Sequence, residues 1–339
     1  MTGISWTDET WNPVRGCSRV SEGCRHCYAE VQAARIVRMS RGKPSPYDGL
    51  VKLHPDGYAA ARWTGKVAFD TEALAKPLRW RKPRRIFVNS MSDLFHESLT
   101  NEQIAAVFGV MAACPQHTFQ VLTKRARRMR EWFEWLDGEA GRERDAAVAR
   151  GEDHRDMHVR VLVAYLDRGY HIDRAHIAYP RWPIPNVHLG VSVEDQAAAD
   201  ERIPDLLATP AAVRWLSMEP LLGPVRTTLR RSTEQAVTPW GFPIEARTQS
   251  GIDWVVAGCE SGHDARPCDV AWLRSIRDQC AAARVPFWLK QAVGSHAVDA
   301  MIYGDPITAG PGSRRKPGGV IELPYLDGKQ HITFPEVAR

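Results

Sequence analysis

The sequence predicts an α/β protein built on a parallel sheet, with about six strand–helix units forming a partial, open barrel of the TIM type. Three observations carry this prediction. Short apolar runs recur along the chain, segments of helical period lie between them, and polar residues follow each run. Short apolar runs with little alternation are typical of strands that are buried on both faces of a parallel sheet. Strands that alternate with helices favour right-handed βαβ units.

Six runs have the length and the Val, Ile, Phe or Leu content expected of strands. They cover residues 86–89, 119–122, 187–191, 213–216, 254–257 and 287–289. Three helices can be placed from their first residues. Thr100 and Gln103 form a capping box, Asp269 is an N-cap candidate, and residues 28–39 have helical character.

We expect one domain over residues 1–339, carrying helical and loop insertions at about 134–183 and 226–250 and an extension at 304–339. Hydrophobic residues make up 44% of the chain and charged residues 25%, which is typical of a globular protein. No apolar run approaches the roughly 18 residues of a membrane helix, and the N-terminus lacks the pattern of a secretory signal. The expected location is therefore the cytoplasm, with no membrane partner.

The cysteines are unevenly spaced. Cys17, Cys24 and Cys27 follow a C-x6-C-x2-C pattern in a segment that Pro13 and Gly16 mark as a loop. The other four are scattered: Cys114, Cys259, Cys268 and Cys280. In a reducing compartment, a tight group of cysteines indicates a metal or cluster site more than a disulfide framework.

Two metal centres fit this spacing. Three thiolates on a [4Fe–4S] cluster leave one iron without a protein ligand, and S-adenosylmethionine can occupy that iron. A zinc ion with a remote fourth ligand is the alternative. The spacing alone leaves both centres open, along with the reading that the three thiols bind nothing.

The segment NPVRGC…GCRHCYAE at residues 12–30 resembles the cysteine loop of radical SAM enzymes, in particular the spore photoproduct lyase-like branch. The chain is most similar to a phage-associated three-cysteine family of radical-SAM-like proteins. Further matching segments lie at residues 88–97, 121–125, 185–196, 215–224, 257–262 and 287–291. Radical SAM enzymes usually space the cysteines C-x3-C-x2-C, and His26 stands where an aromatic residue is usual.

The resemblance implies cofactor-binding roles for several residues that follow the predicted strands. Ser90 and Asp93 lie where the family fold receives the methionine amino group, and Ser192 and Glu194 lie near the ribose hydroxyls. The remaining candidates are Glu219 and Glu260 as ligand contacts or supporting carboxylates, and Lys124 and Lys290 as partners of a carboxylate or phosphate. In parallel sheets, ligands bind beyond the carboxyl ends of the strands. Structural roles, as caps or in internal ion pairs, are the alternative for each of these residues.

Cys259 follows a predicted strand and is a candidate hydrogen-atom donor, with a small buried thiol as the alternative. Basic residues cluster at 78–85 and 124–130. These clusters could contact the phosphates of DNA or RNA, with Trp63 or Trp80 stacking on bases. A solvated helix face is the alternative for the second cluster.

The sequence therefore predicts a radical SAM enzyme that abstracts hydrogen from a nucleic-acid component and needs an electron donor. The alternatives are a zinc-stabilised nucleic-acid-binding protein without catalysis, and a radical SAM fold that keeps its cluster for structure alone.

Overall fold

The computed structural model describes residues 4–55, 57–149, 183–229, 251–261, 265–293, 307–316 and 319–335. The protein is a mixed α/β structure with a large, mostly parallel sheet, which confirms the predicted class. The strands of these ranges do not form a closed barrel. The chain folds as two compact units. The first is Met1–Val191 with Ala208–Ala212, and the second is Ser192–Leu207 with Val213–Arg339.

The described residues of the first unit form eight strands and four α-helices. The strands are β1 (Glu9–Trp11), β2 (Val14–Arg15), β3 (Val51–Lys52), β4 (Arg62–Trp63), β5 (Ala68–Phe69), β6 (Arg85–Val88), β7 (Thr118–Thr123) and β8 (Val187–Ser192). The helices are α1 (Tyr28–Met39), α2 (Thr71–Leu74), α3 (Asn101–Ala112) and α4 (Ala126–Ala149). Parallel pairing links β1 to β6, β6 to β7, and β7 to β8. Two short antiparallel pairs, β2 with β5 and β3 with β4, lie outside this sheet.

In the part of the second unit that the structure describes, there are two α-helices and eight strands. The helices are α5 (Gln196–Ala208) and α6 (Val270–Ala283). The strands are β9 (Val213–Met218), β10 (Trp254–Gly258), β11 (Phe287–Val293), β12 (Ile307–Thr308), β13 (Arg314–Arg315), β14 (Val320–Glu322), β15 (Tyr325–Leu326) and β16 (Lys329–Gln330). Strands β9, β10 and β11 are parallel, while β14 adds to β11 in the antiparallel direction. Strands β15 and β16 form an antiparallel hairpin near the C-terminus.

All six predicted strands are confirmed, as β6 to β11. Every residue of β8 and β10 is buried, as expected of strands covered on both faces. Strand β1 was not predicted. It has only three residues, and its pairing with β6 depends on a segment about 75 residues away, so no local pattern marks it.

The predicted helix starts are also confirmed. Thr100 Oγ1 accepts a hydrogen bond from Gln103 N, and the Gln103 side chain accepts one from Thr100 N, which completes the capping box of α3. Asp269 accepts a hydrogen bond from Ala271 N at the start of α6. Each cap satisfies a backbone donor that has no partner within the helix.

Large aromatic side chains build the core of each unit. In the first unit, Phe108 stacks on Trp132 with ring centroids 4.5 Å apart. In the second unit, the rings of Trp215 and Trp254 lie 5.4 Å apart across the β9–β10 pair. Such rings bury a large apolar area, which contributes to the core of each unit.

Most of both predicted insertions lies outside the described residues, which omit 150–182 and 230–250. Within the described ranges, no helix combines the length and apolar character needed to cross a membrane.

Candidate metal centre and strand-end residues

The three clustered cysteines lie on one connection of the first unit, which we call the cysteine loop (residues 17–27). Cys17 follows β2, Cys24 ends the 3-10 helix Glu22–Cys24, and Cys27 is the N-cap residue of α1. All three are free thiols that are half-buried. The loop therefore offers three sulfurs from irregular backbone, as expected from its Pro and Gly content.

The residues that precede Cys17 fix the start of the loop. Asn12 Oδ1 accepts hydrogen bonds from Ser90 Oγ at 3.2 Å and Met91 N at 3.0 Å. Gly16 has a φ of +85°, and a Cβ atom there would collide with the carbonyl oxygen of Lys66. Only glycine fits this position without strain. Ser90, a predicted cofactor contact, is thus placed next to the motif that introduces the loop.

A buried carboxylate anchors the other side of the loop. Glu30 is 1% exposed and accepts hydrogen bonds from Arg19 Nη2 at 2.6 Å and Arg19 Nε at 3.1 Å. It also accepts one from Trp63 N at 3.0 Å. Arg19 Nη2 reaches the carbonyl oxygen of Arg25 as well, at 2.8 Å. The guanidinium therefore spans the loop and ties it to α1.

A second guanidinium reaches the loop from the end of β7. Arg125 is 7% exposed, and its Nη1 lies 3.0 Å from Asp93 Oδ2 and 3.9 Å from Cys17 Sγ. Its Nη2 donates to Ser18 Oγ at 2.7 Å, and its Nε donates to Glu97 Oε1 at 2.7 Å. One arginine thus joins a loop cysteine to two carboxylates that follow β6.

Asp93, a predicted cofactor contact, is buried, and each of its oxygens accepts two hydrogen bonds. Oδ1 accepts from Thr123 Oγ1 at 2.7 Å and Phe95 N at 3.0 Å. Oδ2 accepts from Lys124 N at 3.2 Å in addition to Arg125. Asp93 therefore organises the ends of β6 and β7. Its predicted role toward the methionine amino group stays a prediction.

His96 extends this network as a neutral imidazole. Its Nδ1 accepts a hydrogen bond from Ser98 N, so Nε2 carries the proton and donates to Ser18 Oγ over 3.0 Å. Burial lowers the pKa of His96, and the nearby Arg125 lowers it further. The imidazole is thus uncharged at neutral pH and helps to position Ser18.

Burial is the largest influence on the pKa of the Cys17 and Cys27 thiols. It raises the pKa of Cys17 to about 12; the Asp93 carboxylate adds to the rise and Arg125 opposes it. Burial also raises the pKa of Cys27, against the backbone amides of Glu30 and Ala29. A positive charge delivered by a metal would favour both thiolates. Among the described residues, no three His, Cys, Asp or Glu side chains form a ready-made site for a single metal ion.

In the second unit, Glu194 forms a buried ion pair. Its Oε2 lies 2.8 Å from Arg202 Nη1, which also donates to the carbonyl oxygen of Ser192 at 2.8 Å. The side chains of Glu194 and Arg202 are only 2% and 4% exposed. The pair links the end of β8 to α5. The ribose-binding roles predicted for Ser192 and Glu194 stay predictions.

Glu219 and Lys290, both predicted contacts, bind each other. Lys290 Nζ and Gln291 Nε2 each lie 2.8 Å from Glu219 Oε1. Gln291 Nε2 also donates to the carbonyl oxygen of Cys259 at 3.0 Å. The ends of β9, β10 and β11 are thereby joined at one polar cluster.

Glu260 closes a short loop by pairing with Arg266. Its Oε1 accepts from Arg266 Nη2 at 2.6 Å, and its Oε2 accepts from Arg266 Nε at 3.0 Å and Arg266 N at 2.9 Å. This closure accompanies a contact between Cys259, which is 1% exposed, and the half-buried Cys268. The Cys268 thiol donates to the Cys259 sulfur, which lowers the pKa of Cys259 and raises that of Cys268.

Several arginines in the basic segments 78–85 and 124–130 are paired within the protein. Fewer of their charges are therefore available to contact phosphates than the sequence indicated. Arg84 pairs with Glu9 and lies over the Trp80 ring, 5.1 Å from its centroid. Along α4, Arg127 pairs with Glu131 in the manner of a solvated helix face. The remaining pairs are Arg85 with Asp8, Arg130 with Glu134, and Arg128 with Asn101.

The prediction that Trp63 is available for base stacking is wrong. Trp63 belongs to a core cluster of the first unit, where Tyr47 packs at a centroid distance of 6.3 Å. Its exposed fraction is 9%. No local pattern indicates this burial, because β4 has only two residues and the packing partner Tyr47 lies 16 positions away.

Sequence reasoning did not predict the arginine partners of three candidate carboxylates: Arg125 binds Asp93, Arg202 binds Glu194 and Arg266 binds Glu260. Arg125 was noted as a polar residue directly after a predicted strand and as part of a basic stretch, but not as the partner of Asp93 or Cys17.

A family described as a protein of unknown function, DUF5131, matches residues 1–333 of the chain. No curated protein and no solved structure matches the chain.

Proposed function

The chain belongs to the DUF5131 family, and we propose that it is a radical SAM enzyme that binds a [4Fe–4S] cluster through Cys17, Cys24 and Cys27. The observation that carries the proposal is the construction of the cysteine loop. Three free thiols share one irregular connection, which the guanidiniums of Arg19 and Arg125 tie to buried carboxylates. So much internal anchoring of a short loop is typical of a site whose ligands must be held in a set geometry.

The donor chemistry of the loop fits the cluster. Thiolates are the ligands of iron–sulfur clusters, and three of them leave one iron open to S-adenosylmethionine. When reduced, such a cluster supplies the one-electron cleavage of S-adenosylmethionine that yields a hydrogen-abstracting radical. Because the three thiolates bring negative charge to a half-buried loop, nearby cations are needed to balance it. Arg125 and Arg19 provide two guanidiniums there.

Residues of the first unit would position the cofactor. Asn12 holds Ser90 beside the start of the loop, where the radical SAM resemblance puts the methionine moiety. Cys27 sits at the N-terminus of α1, where the helix dipole favours an anionic ligand. We include the partial (β/α)6 barrel of the radical SAM type in the proposal, since parallel strands alternate with helices α3, α4, α5 and α6 in the described part of the chain.

The proposed substrate is a nucleic-acid component, and an electron donor would reduce the cluster. Support for the substrate comes from the resemblance of the loop to spore photoproduct lyase-like enzymes and from exposed basic residues. Arg81 and Lys82 are exposed next to the half-buried Trp80. Together they offer two positive charges and one ring to a phosphate-bearing ligand.

The test is anaerobic purification with iron, sulfide and zinc analysis, followed by reduction with S-adenosylmethionine and assay for 5′-deoxyadenosine. We expect about four irons per chain and formation of 5′-deoxyadenosine. Cys24→Ala should lose both. Cys280→Ala, which removes a buried cysteine of α6, should retain both and serves as the matched control.

Each other outcome has a distinct meaning. One tightly held zinc per chain without iron would contradict the proposal and support a zinc-stabilised nucleic-acid-binding protein. A bound cluster that gives no 5′-deoxyadenosine after reduction would leave the cluster with a structural role only.

A further inference from the structure

We propose that Arg125 and Asp93 form an opposed pair of charges that sets the reduction potential of the cluster at Cys17. This inference rests on the proposed function and adds to it a regulation of the same site. Arg125 would act as a positioning and charge-balancing residue, and Asp93 as the charge that it screens.

The position of Arg125 is determined by the fold. Thr123 Oγ1 accepts from Arg125 N at 2.8 Å, and the carbonyl oxygen of Arg125 accepts from Met129 N at 3.0 Å. The residue therefore lies between the last residue of β7 and the first turn of α4, with its backbone held from both sides. A side chain on such rigid backbone can hold a charge in one place.

The guanidinium is then oriented by partners on three of its nitrogens. Asp93 and Cys17 lie on Nη1, Ser18 lies on Nη2, and Glu97 lies on Nε. Because the fork is planar and rigid, these contacts together leave little freedom for rotation. Arg125 is thus directed at the first ligand of the loop, although Cys17 is 108 residues away in sequence.

The sign of the effect follows from the charges that are present. Asp93 and Glu97 contribute two carboxylates, while Arg125 contributes one cation between them and Cys17. Glu97 is 62% exposed, so water screens much of its charge, whereas the Asp93 side chain is 8% exposed. Removing Arg125 would leave the buried Asp93 carboxylate acting on the Cys17 sulfur without opposition.

Reduction adds an electron to the cluster, so nearby positive charge favours the reduced form and negative charge disfavours it. We therefore expect Arg125→Gln to lower the midpoint potential and Asp93→Asn to raise it. A purely structural role of the two residues predicts a different result. Both variants would then disorder the loop and shift the midpoint potential in the same direction.

The experiment is a redox titration of the reconstituted full-length protein, followed by electron paramagnetic resonance and normalised to bound cluster. Arg125→Gln and Asp93→Asn are compared with wild type at one pH. Arg128→Gln is the matched control, since this arginine of α4 bonds Asn101 and does not reach the loop. Arg125→Lys keeps the charge, so it should load the cluster and titrate close to wild type.

Shifts of opposite sign would support the inference. Shifts of the same sign, or no shift, would overturn it while leaving the proposed function intact. Loss of the cluster from both Arg125→Lys and Arg125→Gln would also overturn the inference. It would mean that the hydrogen bonds of the guanidinium, and not its positive charge, are what the cluster requires. Absence of iron from the wild-type protein would instead reject the proposed function and the inference with it.

Discussion

The cysteine loop of the first unit and the Cys259–Cys268 pair of the second unit place thiols in different electrostatic settings. In the loop, burial raises the pKa of Cys17 and Cys27, and the Arg125 guanidinium lies 3.9 Å from the Cys17 sulfur. In the pair, the Cys268 thiol donates a hydrogen bond to the Cys259 sulfur, so that the pKa of Cys259 falls. The loop is therefore suited to thiolates that a metal stabilises, whereas the pair stabilises a thiolate by itself.

Both regions depend on an arginine–carboxylate contact, although the two contacts differ in burial. The side chains of Arg125 and Asp93 are 5% and 8% exposed, while those of Arg266 and Glu260 are 20% and 6% exposed. Breaking a fully buried pair leaves an uncompensated charge, whereas water can solvate the partner of a more exposed one. The first contact should therefore have the larger effect on stability.

The largest expected effect is that of Arg125→Ala. It leaves the Asp93 carboxylate buried without its cation and should lower the free energy of unfolding by about 3–5 kcal/mol. Urea denaturation of the metal-free protein measures this. Arg127→Ala is the control, because the Arg127 side chain is 78% exposed and pairs with Glu131 at the surface. Its expected cost is below about 1 kcal/mol. Equal costs for the two variants would contradict the distinction between the regions.

The next effect is that of Glu260→Gln. The Gln side chain is neutral and has only one acceptor oxygen, so it cannot keep the hydrogen bonds that both Glu260 oxygens accept from Arg266. The free energy of unfolding should therefore fall by about 1.5–3 kcal/mol. The loop that holds Cys268 near Cys259 should also open more often.

The rate of disulfide formation between Cys259 and Cys268 tests whether the loop opens more often in this variant. Oxidised glutathione should convert the Cys259 and Cys268 thiols into one disulfide, with release of two molecules of glutathione and no net loss of protons or electrons. Mass spectrometry after alkylation follows the reaction. We expect the disulfide to form more slowly in Glu260→Gln than in wild type, while the buried Cys114 remains reduced. Equal rates would show that the Glu260–Arg266 contact does not hold the pair together.

The smallest effect concerns an exposed carboxylate that two arginines also hold. Hydrogen bonds from Arg274 and Arg277 lower the pKa of Asp327 from 3.8 to about 2. Because the folded-state pKa is lowered, this stabilisation is complete above pH 4 and is lost as the pH falls toward 2. Solvent screening limits it to about 0.2–1 kcal/mol.

Denaturation of wild type and Asp327→Asn between pH 2 and pH 6 tests this. The two proteins should differ by at most about 1 kcal/mol at pH 6 and converge near pH 2. If Asp327→Asn lowered the free energy of unfolding as much as Arg125→Ala does, solvent exposure would not explain the different strengths of these arginine–carboxylate contacts.

The strands and helix starts could be predicted because their signals are local. The buried runs of β8 and β10 are apolar in sequence, and the capping box of α3 lies within four residues. Strand β1 was missed, since it has three residues and its partner β6 is distant in the sequence. The carboxylates at the strand ends were selected correctly as polar positions, but their arginine partners were not.

The sequence by itself determined the strand–helix alternation, the placement of the helix caps and the grouping of three thiols on one loop. These follow from hydrophobic periodicity, capping chemistry and residue spacing, all of which act over a few residues. The tertiary structure alone decided that Arg125 is an internal cation at Cys17 and that Trp63 belongs to the core. The physical reason is that the solvation of a charge or a ring depends on the segments that pack over it, and those segments lie far away in the chain.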